Sequence, residues 1–180
     1  MVKIIAILGR SGAGKSTISY ELARVLPNYA FIDIWKVKEM FEYLNPKNRK
    51  PHNDISKKAV FFILKEAIKD GTYKNFIVQE SSERAIKKSL RNYLKKSDEI
   101  YCFHLRVDLK DAFMRNISRE KKTMPKKHFI NNDKNDLPKI SKGEFVINTS
   151  EKSIREVVDG ILKIVNEKRG KKKLNVMKCV

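Results

Sequence analysis

The sequence predicts a doubly wound α/β domain: a parallel sheet of about five strands with helices on both faces. Three observations carry this. Short, β-branched apolar runs alternate with one-sided helical stripes along the whole chain. The first run, Val2 to Leu8, is apolar on both faces, as a buried parallel strand is. It leads directly into Gly9-Arg10-Ser11-Gly12-Ala13-Gly14-Lys15-Ser16, the spacing of a phosphate-cradling loop between strand and helix.

That loop has a physical logic. Glycines let consecutive backbone N–H groups turn into one concave nest, which a Cβ would obstruct. Lys15 reaches the β- and γ-phosphates, and the Ser16 hydroxyl is the expected Mg²⁺ ligand. Gly9, Ser11, Gly12, Ala13, Gly14, Lys15, Ser16 and Thr17 are therefore the expected nucleotide-binding residues. A helix follows with Ile18, Leu22, Val25 and Leu26 on one side, and stops at Pro27.

Tyr29 to Ile34 reads as the second strand, with Asp33 near its carboxyl end, the edge where open parallel sheets bind ligands. Trp35 to Leu44 is helical, with Val37, Met40, Phe41 and Leu44 on one face; Asn45 to Asn53, polar with two prolines, reads as loop. Ile55 to Ile68 is a strongly apolar helix with a stop at Asp70-Gly71. Asn75 to Glu80 is the third strand and ends in an acid.

Ser81-Ser82 caps the next helix, whose apolar stripe is Ile86, Leu90, Tyr93 and Leu94. Its opposite stripe, Arg84, Lys87, Lys88, Arg91 and Lys95, contains no acid and reads as a face for a partner. Glu99 to Val107 is the fourth strand. It holds Cys102, read as inert core, and His104, read as a core or edge histidine without a ligand-spaced partner. Asp108 opens a helix with Arg115 and Arg119, followed by the basic stretch Lys121 to Lys127 and a polar one, Asn131 to Pro138. Glu144 to Asn148 is the fifth strand. Thr149-Ser150-Glu151 caps a last helix with Ile154, Val157, Val158, Ile161, Leu162 and Val165 inside, ending at Gly170.

At 180 residues the chain reads as one domain, 1–168, with a lid around 115–138 and a basic tail at 169–180. Two cysteines give no disulfide framework, no apolar run is of membrane-spanning length, and a reducing cytoplasm is the expected compartment. Forty Lys and Arg against 21 Asp and Glu leave a net charge of +19. Lysine far exceeds arginine, as an A/T-rich coding bias would give, but such a bias should raise glutamate too. Coding bias and a polyanionic partner, DNA or RNA, are the two accounts of the excess, and the partner is the natural one for what bias leaves over. The oligomeric state is left open.

The loop implies ATP and Mg²⁺ without separating kinases from other nucleotidases. The absence of Asn-Lys-x-Asp gives guanine specificity no support. An acid at the end of strand two and a two-arginine helix before a basic loop suit phosphorylation of a hydroxyl: Asp33 as general base, Arg115 and Arg119 closing over the triphosphate, with Lys15 as the fourth catalytic residue.

On these residues the chain resembles small P-loop kinases of the nucleotide-kinase type. Within them it is similar to the kinase domain of phage-type 5′-polynucleotide kinases. Asp33 followed by Lys36 parallels that family's general-base Asp and the Arg three residues on; Arg115-Asn116-Ile117-Ser118-Arg119 resembles its R-N-x-x-R lid. Glu80 stands where the family has an acid. Val146 to Ser150 also resembles the I-D-T-S run of adenylylsulfate kinases, with Asn148 in place of the Asp. The resemblance implies phosphoryl transfer to a nucleic-acid or nucleotide hydroxyl, with Lys36 and Glu80 on the acceptor side; the basic stripe adds Arg84, Lys88 and Arg91 as acceptor-binding residues. Other expectations are a small-molecule acceptor (nucleotide, adenylylsulfate or sugar) and a nucleic-acid-binding ATPase switch without an acceptor.

Overall fold

The computed structural model describes residues 1–42, 49–79, 83–118 and 144–167, with the side chains of 41, 42, 49–53 and 83 left aside. Five strands, β1 (Lys3–Gly9), β2 (Tyr29–Ile32), β3 (Asn75–Gln79), β4 (Glu99–Arg106) and β5 (Phe145–Asn148), form one sheet in the order β2-β3-β1-β4-β5. Every pairing is parallel. β1 is the centre, with Ile5 opposite Ile77 on one side and Tyr101 on the other. The order reverses across it, so the crevice expected at such a switch lies at its carboxyl end.

Strand alternation divides the core into two layers. Ile5 and Ile7 face Ile18 and Leu22 of α1 (Lys15–Val25), Ala112 of α5 (Leu109–Ile117), and Val157, Ile161 and Val165 of α6 (Ile154–Glu167). Ile4 and Ala6 face Ile34 of α2 (Ile34–Glu42), Val60 and Leu64 of α3 (Arg49–Asp70), and Ile86 and Leu90 of α4 (Glu83–Leu90). Each fully buried isoleucine here contributes on the order of 1.5–3 kcal/mol.

Ile34, expected to end the second strand, instead opens α2, since the chain leaves the sheet after Ile32 and Asp33 caps the helix; three boundaries differ by more. α3 begins at Arg49, so 49–53 is helix rather than loop. Pro51 is its third residue, where a missing N–H removes no intrahelical bond. At the other end Gly71, φ +78°, donates its N–H to the Ala67 carbonyl at 3.2 Å, a left-handed helix stop.

α4 ends at Leu90, and 91–93 is a turn in which the N–H groups of Tyr93 and Leu94 both reach the Leu90 carbonyl. Asp98 fixes this exit by accepting the Lys95 N–H at 2.7 Å and the Val2 N–H at 2.6 Å. The basic stripe therefore does not continue along one helix to Lys95. α6 begins at Ile154, not after Thr149-Ser150-Glu151. Its cap is Ser153, which exchanges hydrogen bonds with Glu156 in a capping box. The cap expected at Ser81-Ser82, the lid beyond 118, and Gly170 with the tail lie outside the described residues.

Candidate active site

The phosphate loop joins β1 to α1 at the carboxyl edge of the sheet. Gly9, Gly12 and Gly14 have φ of +147°, +84° and +85°, backbone that side chains rarely adopt. Space is equally restrictive. A Cβ on Gly9 would stand 2.4 Å from the Leu105 carbonyl oxygen of β4, and one on Gly12 would stand 2.7–2.9 Å from the backbone and Cβ of Ala112 on α5. The loop is thus wedged between the central strand's neighbour and α5. Gly14 is the N-cap of α1 and makes no side-chain cap bond, so the positive end of that helix opens into the loop.

Lys15 is buried, and its ammonium lies back across its own loop, donating to the carbonyls of Gly9 at 2.8 Å and Arg10 at 3.0 Å. Ser16 and Thr17 are exposed at the start of α1. Ser11 and Ala13 complete the loop, and Ala13 donates its N–H to the Arg10 carbonyl at 3.3 Å.

Behind the loop is a bond network that sequence spacing could not announce. Arg115 donates from Nη1 to the Thr149 hydroxyl at 3.2 Å and from Nη2 to the Thr149 carbonyl at 2.5 Å, with Nη1 3.5 Å from the Gly12 carbonyl. The buried Thr149 hydroxyl in turn faces the carbonyls of Arg106 at 2.9 Å and Ala13 at 3.3 Å. Arg115, expected as a lid residue, is in this structure tied to the back of the phosphate loop and to the residue following β5. Thr149, read from sequence as part of a helix cap, belongs to this network instead.

Asp33 directly follows β2 at the same sheet edge. One carboxylate oxygen accepts the Trp35 N–H at 2.9 Å, making Asp33 the N-cap of α2; its other oxygen has no part in that bond. Lys36 is exposed on the first turns of α2, and Lys38 lies over the Trp35 ring at 4.1 Å. Phosphate loop, Asp33 and Arg115 are thus gathered at one edge of the sheet.

The acceptor-side cations are spread out. Arg84 and Lys88 are exposed along α4, which runs away from that edge for about 12 Å at 1.5 Å per residue. Arg91 lies just past the end of α4, where the chain turns toward the start of β4 at the opposite edge. Glu80 and Arg119 lie outside the described residues.

His104 proves to have a partner that sequence spacing did not offer. Its Nε2 is 3.0 Å from Glu144 Oε2, and both side chains are buried between β4 and the start of β5. Among the described residues no group of three or more His, Cys, Asp or Glu could hold a metal ion. Ser16, exposed at the first turn of α1, offers one hard hydroxyl oxygen, a donor that suits a Mg²⁺ otherwise held by phosphate oxygens and water. Among the described residues no helix is long and apolar enough to cross a membrane.

A phosphate loop closing the central strand of a five-stranded parallel sheet, with helices on both faces, is the fold of small P-loop kinases. Among the solved structures that share it with this chain are three kinases. A sugar kinase from Janibacter sp. superposes with a TM-score of 0.63 at 15% identity, over 92% of this chain and 95% of that one. Shikimate kinase from Acinetobacter baumannii in complex with shikimate gives 0.63 at 16%, over 95% and 97%. Deoxyadenosine kinase from M. mycoides gives 0.60 at 19%, over 91% and 99%. No family model matches the sequence, and no curated protein matches it.

Proposed function

We propose that this chain transfers the γ-phosphoryl group of ATP to a hydroxyl of a small molecule. The observation that carries the reading is the placement of Asp33 at the end of β2, on the same sheet edge as the phosphate loop at the end of β1 and with a carboxylate oxygen left over from its helix cap. A loop alone binds triphosphate; a carboxylate at the same sheet edge can supply what transfer to a hydroxyl needs.

In this reading the loop amides and the amino end of α1 hold the β- and γ-phosphates. Lys15 exchanges its two carbonyl partners for phosphate oxygens. Ser16 takes Mg²⁺, which neutralises phosphate charge when bound. Asp33 orients the acceptor hydroxyl and takes its proton as the oxygen attacks in line. Arg115 keeps the loop at its place and offers a guanidinium beside Gly12, and Arg119 and Lys36 supply further positive charge.

A small acceptor is favoured because proteins of this fold include kinases named for sugar, shikimate and deoxyadenosine, and because Arg91, counted with the acceptor side, stands at the far edge of the sheet. A 5′-hydroxyl of nucleic acid is the second reading, favoured by the net charge of +19. The test offers γ-labelled ATP to sugars, shikimate, nucleosides, nucleoside monophosphates, adenylylsulfate and 5′-hydroxyl oligonucleotides. Label on a small hydroxyl compound supports the proposal. Label on oligonucleotides alone replaces it with the second reading. ATP hydrolysis stimulated by nucleic acid that stays unlabelled indicates a switch instead.

A further inference from the structure

α3 and α4 pack side by side on one layer of the sheet and leave an open groove of about 670 Å³ between them, a volume in the range of ligand sites. Its walls carry three ammonium groups, Lys58 and Lys65 from α3 and Lys88 from α4, and no carboxylate among the described residues. Between the cations is an aromatic ring that folding does not bury: Phe62 is 64% exposed. Lys58, Phe62 and Lys65 follow at helical spacings of four and three, so they form one stripe along α3. At its far end the half-exposed Tyr93 lies under the Lys65 ammonium at 5.8 Å. Two acids of α3 adjoin this stripe without lining the groove: Glu66, turned to Lys69 at 3.9 Å, and Asp54, one turn before Lys58.

A solvent-facing phenyl ring flanked on both sides by cations, in a concave and acid-free channel, is a costly surface to leave bare. Phosphates satisfy the ammonium groups, and a base stacking on Phe62 removes the ring from water. A membrane surface fits less well, since it would need the apolar groups on a convex face. An acidic peptide would leave the ring unmatched. We infer that the α3–α4 groove binds single-stranded nucleic acid, with backbone phosphates on Lys58, Lys65 and Lys88 and a base on Phe62. This binding does not depend on the proposed phosphoryl transfer.

The test is fluorescence anisotropy of a labelled single-stranded oligothymidine, without ATP, across a salt series. The Lys15→Ala protein should bind it as the parent does, so failure of the kinase reading leaves this result untouched. Replacing Lys58, Lys65 and Lys88 by Glu should weaken binding at least tenfold and lower the salt slope by about 2, at roughly 0.7 per phosphate contact on a single strand. A charge-matched variant with Glu at the exposed positions Lys110, Lys152 and Lys163 should lose far less. Phe62→Ala should weaken binding about 5- to 150-fold, the range for one stacked base, with the salt slope unchanged. Thermal midpoints near the parent's establish that each variant is folded.

Equal losses in the two triple variants would show diffuse attraction and overturn the groove. So would a silent Phe62→Ala, or duplex bound as tightly as single strand. Binding to anionic phospholipid vesicles without binding to oligothymidine would overturn the assignment in favour of a membrane.

Discussion

Arg115 and Thr149, 34 residues apart in sequence, are joined twice through one guanidinium: Nη1 to the hydroxyl and Nη2 to the carbonyl. The pair holds the phosphate loop from behind, since Arg115 also lies against Gly12 and Thr149 against Ala13. Arg115→Ala should therefore do two things. It should lower stability by roughly 1.5–3 kcal/mol, as loss of hydrogen bonds to a charged group does, and reduce kcat more than ATP affinity. Arg115→Lys should recover little of either, because an ammonium cannot make the forked pair. Arg119→Ala should likewise reduce kcat more than ATP affinity. Thermal unfolding with steady-state kinetics checks all three; a normal midpoint in Arg115→Ala would refute the clamp.

Lys15→Ala should abolish most turnover, because the ammonium acts chiefly on charge developing in the transition state. ATP binding should weaken less. Isothermal titration and single-turnover rates measure the two separately, and near-normal turnover in the folded variant would remove the phosphate-loop assignment.

Asp33 has a structural and a proposed chemical duty, and two substitutions separate them. Asn still caps a helix well, so Asp33→Asn should keep the thermal midpoint while kcat falls about 10²–10⁴-fold. Asp33→Ala should add a stability loss of about 0.5–2 kcal/mol from the missing cap. If Asp33→Asn turns over normally, the carboxylate is a cap and nothing more.

Gly12→Ala combines left-handed backbone with contact against α5, and should cost more than the roughly 1–3 kcal/mol of the backbone conformation alone. A second change, Ala112→Gly, removes the Cβ at 2.9 Å but not the carbonyl oxygen at 2.7 Å or the Cα at 2.8 Å. The double variant should stay destabilised. Recovery of the parent midpoint would mean that side-chain crowding, not backbone, sets the fit.

The capping box of α6 carries a pH signature. The Ser153 hydroxyl, then its N–H, bond to the Glu156 carboxylate, and with nearby Lys152 hold it below the ordinary glutamate value. A lowered native pKa means the contribution is complete above the unfolded-state value and is lost as pH falls through the native one. A carboxyl NMR titration should show Glu156 titrating low in the parent and closer to the ordinary value in Ser153→Ala.

What was legible in the chain was what is local. β1, the phosphate loop and α1 are consecutive, and each restricts its neighbours, so spacing alone located them. Asp33 was readable because the strand before it and the helix after it both have clear periodicity. The clamp was not, because Arg115 and Thr149 meet only through the sheet. The same holds for His104 and Glu144, 40 residues apart. The early end of α4 has no glycine or proline to mark it; Asp98, which closes that turn, also bonds Val2, 96 residues away. Pro51 misled in the other direction, since a proline stops a helix interior but not its first turn.

The central position of β1 has a consequence for how the chain is made. Its partners are β3, which begins at Asn75, and β4, which begins at Glu99, and the N–H of Glu99 closes on the Val2 carbonyl at 2.9 Å. β1 therefore precedes both of its neighbours in the chain, and its two sides are filled only when β4 is present. Until β4 joins, Ile4 to Ile7 lack their pairing on that side. Each pairing must close a long loop before it is rewarded, which slows folding and leaves the open strand edge exposed to aggregation meanwhile. The phosphate loop, though it lies ahead of both in the chain, is wedged only once Leu105 and Ala112 are in place.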